Sequence, residues 1–265
     1  TYDVAPVRNG HFFRLDDYLN RFEDSMKAMR LDPKLSKQDV QNAITGMVAA
    51  SGLRDSYVAM ACSRGVPGVP GSSDPRDCIN HFYAWCVPYI EVIKQDVLEA
   101  GASLLISETV ARVPDASINP RIKNYQWGDF TSGLFEAKDK GFESVILADQ
   151  NGLITEGPGF NVFAIKGKTV ITSGHGVLAG ITRMTVLEIA AEMGLGIEVR
   201  DLPIKEFLLA DEVFISSSGG GIMPIARVNK TDFSNGRIGP LTKEMMNAYW
   251  SWFNNPKYTT AIHYD

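Results

Sequence analysis

The chain has 265 residues, 45% of them hydrophobic and 22% charged, with a net charge of −5. That is enough apolar residue for one large domain or two smaller ones with real cores. The acidic balance, with no basic run, argues against nucleic acid or an anionic membrane as the main partner. No apolar stretch approaches the roughly 20 residues of a membrane span and no signal peptide is visible, so a cytoplasmic protein is expected.

Cys62, Cys78 and Cys86 are odd in number and lack CxxC spacing, which gives neither a disulfide framework nor a structural zinc site. The four histidines are scattered without metal-ligand spacing, and no metal is expected. Cys62 ends the apolar run from Tyr57 and reads as a small core residue.

Residues 1–7 read as a strand, Asn9-Gly10 as a turn and His11-Phe12-Phe13 as the returning strand. A chain that opens inside a hairpin without a methionine suggests further residues before Thr1. Leu15, Tyr18, Leu19, Phe22, Met26 and Met29 recur at helical spacing and predict a helix over 14–29, with Asp16 and Asp17 favouring its start. A second amphipathic helix is expected over 39–50, closed by Ser51-Gly52. Strands over 57–62 and 81–87 flank a Gly/Pro/Ser loop, 65–75, which is long for a plain hairpin.

Residues 88–96 read as a linker. The expected domains are 1–90 and 98–265, with 91–97 between them. Beyond the linker, 103–106 is strand-like and 129–140 is a helix stopped by Gly141. Short strands at 144–148, 153–155, 161–165 and 170–172 read as an antiparallel meander. Helices over 183–193 and 241–252 enclose a strand at 212–215. The mixture fits two α+β domains better than a doubly wound parallel sheet.

Five features can carry chemistry, and each has a plain reading beside the chemical one. Lys123 stands between Ile122 and the segment Asn124-Tyr125-Gln126-Trp127-Gly128-Asp129. It is a solvated loop lysine, or a desolvated amine able to hold a carbonyl compound as a Schiff base. Glu156, before Gly157-Pro158-Gly159-Phe160-Asn161, is a turn carboxylate or the partner of a pyridine nitrogen, with glycines admitting a flat ring. Gly180-Ile181-Thr182 is an ordinary helix cap or an anion site at a helix start. The run Ser216-Ser217-Ser218-Gly219-Gly220-Gly221 is a flexible loop or an anion nest. Arg21 interrupts the apolar stripe of the first helix and is a surface arginine or a phosphate ligand.

Taken together and in this order, these segments resemble the fold-type IV pyridoxal-phosphate enzymes: branched-chain and D-amino acid aminotransferases and aminodeoxychorismate lyase. The resemblance covers nearly the whole chain and is nearest to fungal (R)-selective amine transaminases. It rests on 122–129, 155–161, Gly176-Val177-Leu178-Ala179-Gly180-Ile181-Thr182-Arg183 and Gly220-Gly221-Ile222-Met223-Pro224-Ile225. It implies a D-amino acid aminotransferase-like α+β fold of two domains, a homodimer, and pyridoxal 5'-phosphate held between the domains. By the same resemblance, Lys123 is the Schiff-base lysine and moves the proton, and Glu156 pairs with the pyridine nitrogen. Arg21, Ile181, Thr182, Ser217 and Ser218 hold the phosphate. Phe160 and Leu178 flank the ring. Tyr2, Val4, Tyr57, Trp127 and Gly219 line the substrate pocket.

The chain departs from the family pattern at several points. Tyr18 stands where a histidine is usual, Pro158 where a serine is, and Ser217 and Ser218 where threonines are. Pro70 stands where related amine transaminases often carry an arginine that binds the acceptor carboxylate; Arg64 and Arg76 lie in the same region. The expected reaction is ping-pong transfer of an amino group from an (R)-configured primary amine to a keto acid such as pyruvate. A D-amino acid or branched-chain aminotransferase, a lyase, and a non-catalytic protein on this fold are the alternatives.

Overall fold

A computed structural model describes residues 1–264. The chain divides into two compact units. The first holds residues 1–90, Ile122–Tyr125 and 253–264; the second holds Glu91–Arg121 and Gln126–Trp252. Lys123 and its neighbours therefore fold with the N-terminal unit, as does the C-terminal tail.

In the first unit, β1 (Tyr2–Arg8) turns back into β2 (His11–Phe13) through Asn9 and Gly10, both at positive φ. Helix α1 (Leu15–Ala28) buries Leu15, Tyr18, Leu19, Phe22 and Met26 of the stripe that its sequence spacing predicts; Met29 lies just past its end and is exposed. Helix α2 (Lys37–Ser51) starts two residues before the expected point. Ser36 accepts from the Asp39 N–H while Asp39 accepts from the Ser36 N–H, a capping box that sets the start. Strand β3 (Ser56–Pro67) runs past its expected end into the stretch expected to be loop, and β4 (Cys78–Pro88) starts before its expected point, with an irregularity in register between Ser63 and Val66. A strand at Thr259–Ala261, not foreseen in the sequence, pairs antiparallel with β2 and completes a five-stranded sheet.

The second unit begins with α3 (Gln95–Ala100), which occupies part of the expected linker. Strand β5 (Ser103–Ile106), helix α4 (Gly128–Asp139) and β6 (Ser144–Ile146) follow, and β5 pairs with β6 in parallel. The antiparallel meander expected from 144 onward is thus corrected: β6 belongs to a parallel crossover closed by α4, and 153–155 forms only isolated bridges. Strand β7 (Glu156–Gly157) pairs with β8 (Phe160–Lys166), and β8 with β9 (Thr169–Ser173), both antiparallel.

Helix α5 (Ile181–Glu192) leads to β10 (Gly196–Arg200), which runs parallel to β9. After α6 (Ile204–Phe207), β11 (Glu212–Ser217) and β12 (Gly221–Ile225) form a hairpin. Strands β13 (Arg227–Val228) and β14 (Thr231–Asp232) extend the β5–β6 sheet, and α7 (Pro240–Trp252) ends the unit.

The main core of this unit draws Leu104, Ile106 and Ile146 from one sheet and Val162, Ala164, Val213, Ile215 and Met223 from the other. Alternation along β8 and β11 sends the intervening Phe163 and Phe214 to the opposite face, where their rings stack at 4.7 Å. Among the described residues, no helix is long and apolar enough to cross a membrane.

Candidate active site

In the second unit, Glu156 is the best-held acid of the predicted set. It sits at the start of β7, buried, because Leu147 N–H donates to its carbonyl and Asn161 faces it across β8. One carboxylate oxygen accepts from the Leu178 N–H at 2.8 Å and from Asn161 Nδ2 at 3.3 Å. The other accepts from Arg112 at 3.1 Å. Arg112 is itself buried, donates to Asp129 at 2.6 Å and lies 4.2 Å over the Phe130 ring. Asp129 is fixed in turn by the N–H groups of Val113 and Phe130. A carboxylate held by three donors, one of them cationic, is kept ready to accept a hydrogen bond.

Helix α5 begins at Ile181, two residues earlier than the sequence spacing suggests, so Ile181 and Thr182 lie in its first turn. No side chain caps it, and no acidic residue lies in that turn. Its leading N–H groups therefore face outward as anion donors. The Thr182 hydroxyl is buried and has no hydrogen-bond partner among the described residues. Such an orphan beside bare N–H groups fits an anion such as a phosphate.

Asn161 also ties this turn to Glu156, since its Nδ2 donates to Leu178 O at 3.1 Å. A Cβ at Gly180 would stand 2.2 Å from Asn161 Oδ1, so glycine here is what lets the Asn161 side chain keep its place.

Ser217 ends β11 and pairs with Gly221, so the serine–glycine run is a tight hairpin turn rather than an open nest. Gly220 and Gly221 both take positive φ there. Ser217 Oγ donates to Gly159 O at 2.8 Å and accepts from the Gly219 N–H at 3.2 Å. Ser218 follows it, half-buried. Phe160 is buried in the main core; Gly157 leaves room for it, since a Cβ there would meet its ring at 2.2 Å. Leu178 is half-buried, and Trp127 packs edge-on against Phe130 at 5.7 Å.

In the first unit, Lys123 is anchored by its main chain. Its N–H donates to the buried Ser25 Oγ of α1 and its carbonyl accepts from the Tyr2 N–H, both at 3.1 Å. Its amine lies 4.5 Å from the centre of the Tyr2 ring, on which Tyr125 stacks at 4.3 Å. Val4 is buried in the sheet. Burial, with smaller contributions from Asp3, Tyr18 and Tyr125, pushes the Tyr57 hydroxyl up to about 12, so it stays protonated at neutral pH. Arg21 is nearly buried and forms a two-pronged pair with Asp3, at 2.8 and 2.6 Å.

The sequence matches the model of the class IV amino-transferases over residues 1–228. The chain belongs to the class IV aminotransferase family. Members are pyridoxal-phosphate-dependent transferases. The putative branched-chain-amino-acid aminotransferase of Methanocaldococcus jannaschii is 26% identical over 91% of this chain and 82% of that protein. The branched-chain-amino-acid aminotransferase of Escherichia coli K12 is 28% identical over 91% of this chain and 78% of its own length. The crystal structure of the branched-chain amino acid aminotransferase from Thermobaculum terrenum, in its pyridoxal-phosphate form, superposes with a TM-score of 0.87, at 24% identity, over 99% of this chain and 89% of that one. That likeness is one of fold.

Within this aminotransferase, the residues that sequence reading missed are supports rather than reactants: Asp3, Ser25, Arg112 and Asp129. A signal existed for two of them. Asp3 is one acid in an otherwise apolar strand, and Arg112 is a lone cation between Ala111 and Val113. Both arginines near Pro70 are committed elsewhere. Arg64 donates to the carbonyls of Met29 and Arg30, where α1 ends. The exposed Arg76 forks onto Asp74. Pro70 itself is exposed.

Proposed function

We propose that this aminotransferase moves an amino group from a primary amine to a keto acid acceptor such as pyruvate, in two half-reactions with shared residues. The carrying observation is the carboxylate of Glu156, fixed by Arg112, Asn161 and the Leu178 N–H. Pyridoxal phosphate supplies an electron sink, which Glu156 maintains by keeping the pyridine nitrogen protonated. Lys123 bonds the cofactor and, when released, carries a proton at its Nζ. The α5 N–H groups with Thr182, the hydroxyls of Ser217 and Ser218, and Arg21 receive the phosphate. Phe160 and Leu178 bound the ring. Tyr2, Val4, Tyr57, Trp127 and Gly219 shape the space for the donor. The protein acts as a homodimer.

The donor in this reading is an (R)-configured amine with one small and one large substituent. Its support is the likeness of the segments 122–129 and 220–225. The second reading, a branched-chain amino acid aminotransferase, is supported by the names of the relatives at 26 and 28% identity.

The deciding experiment offers pyruvate with (R)-1-phenylethylamine, its (S) form or L-leucine, and 2-oxoglutarate with L-leucine or D-alanine. Alanine formation from the (R) amine alone is expected. Turnover of L-leucine with 2-oxoglutarate and none of the amine would establish the second reading instead. Borohydride reduction should fix the cofactor on Lys123 and fail in Lys123→Ala.

A further inference from the structure

We infer that Tyr2 is the dock for the amine of Lys123, a positioning residue that holds this amine whenever it is not bonded to a carbonyl compound. The inference rests on the reading of Lys123 as the cofactor lysine. Three observations in the first unit carry it.

The Lys123 amine lies 4.5 Å from the Tyr2 ring centre, inside the range in which an ammonium is attracted to the negative face of an aromatic ring. The two residues are also joined through the main chain, since the Tyr2 N–H donates to the Lys123 carbonyl at 3.1 Å. The two backbones are thus in fixed register, which brings ring and amine within reach of each other. The ring's own tilt is set by Tyr125, stacked on it at 4.3 Å and 19° although Tyr125 itself is 60% exposed. An exposed aromatic contributes little to a core; here its contact is with the ring that meets the lysine. The Asp3–Arg21 pair, Tyr18 and Tyr57 belong to the same unit. The Tyr2 ring, placed by its backbone and by Tyr125, is a contact that positions the Lys123 amine.

The test separates ring electronics from ring shape. Cofactor-free protein is made with Tyr2→Phe, and then with mono-, tri- and pentafluorophenylalanine at the same position. Fluorine drains the ring face of negative charge and leaves its outline nearly unchanged. Acetylation of Lys123 is followed by peptide mass spectrometry against Lys27, an exposed lysine on α1. The Lys123 to Lys27 rate ratio is expected to climb along the series by about two- to fivefold, the factor for a half-exposed cation–π contact. A flat series overturns the dock.

Borohydride trapping of pyridoxal phosphate on the Tyr2→Phe protein is run in parallel. No adduct at Lys123 overturns the functional reading on which the inference rests. An adduct with a flat series overturns the dock alone.

Discussion

The guanidinium of Arg21 grips the carboxylate of Asp3 through two hydrogen bonds, of 2.8 and 2.6 Å, with Asp3 wholly buried. Burial alone would make the Arg21 cation easier to discharge, yet the charge and hydrogen bonds of Asp3 outweigh it and raise its pKa. An arginine expected to meet a phosphate is thus held in one orientation by a carboxylate. Asp3→Ala removes the carboxylate that pairs with this buried cation, and is expected to cost about 3 to 5 kcal/mol in urea unfolding. Pairing Asp3→Leu with Arg21→Met should restore most of the loss. A loss below about 1 kcal/mol for Asp3→Ala would show that water reaches the guanidinium.

Arg112 divides its fork between Asp129 and Glu156, so neither acid is neutralised independently of the other. Arg112→Met is expected to destabilise by about 3 kcal/mol or more, because the buried Glu156 and the half-buried Asp129 lose one cation. Adding Asp129→Asn should recover part of this, a coupling that a double-mutant cycle reads directly. Additive effects would mean that Asp129 and Glu156 do not share the charge.

Gly180 has an ordinary backbone conformation (φ −65°, ψ 136°), so its identity is a matter of space. Gly180→Ala pushes Asn161 off both Glu156 and the Leu178 carbonyl. The expected result is a pyridoxal-phosphate affinity lowered about five- to tenfold, the worth of about one hydrogen bond. Absorbance titration of the cofactor-free protein checks it, with circular dichroism showing an unchanged fold.

Glu136 contributes to the acid limb of stability. Burial would raise its pKa, but hydrogen bonds from Lys140, Ser107, Thr109 and the Glu108 N–H outweigh that and bring it from 4.5 to about 2. The folded value lies below the unfolded one. Its contribution is therefore complete above pH 4.5 and lost as pH falls toward about 2. Glu136→Gln should be less stable than the parent at neutral pH, with the gap closing across that window. A gap independent of pH would assign the effect to packing.

The candidate site residues stand out in the sequence because their segments are local. Lys123, Glu156, Thr182 and Ser217 each sit in a short segment whose neighbours give them away. Asp3 and Arg112 were not legible because their meaning comes from distant partners. Arg21 is 18 residues from Asp3, and Asp129 and Glu156 are 17 and 44 from Arg112. Strand β12 escaped notice because Gly221 and Pro224 punctuate it. A proline is tolerated there because β12 is the edge of its sheet. The start of α5 was misplaced because Gly180 gives no capping side chain, and a bare helix end is what an anion site requires.

The pairing of β2 with the strand at Thr259–Ala261 also bears on how the protein is made. On the ribosome β2 emerges well before the strand that covers its edge. Until that strand follows, β2 offers one bare edge, and the segment carrying Lys123 arrives between the two. Such long-range closure slows folding and leaves a strand edge open to other chains. A nascent chain of this enzyme thus gains most from protection in the interval before Thr259–Ala261 arrives to cover that edge.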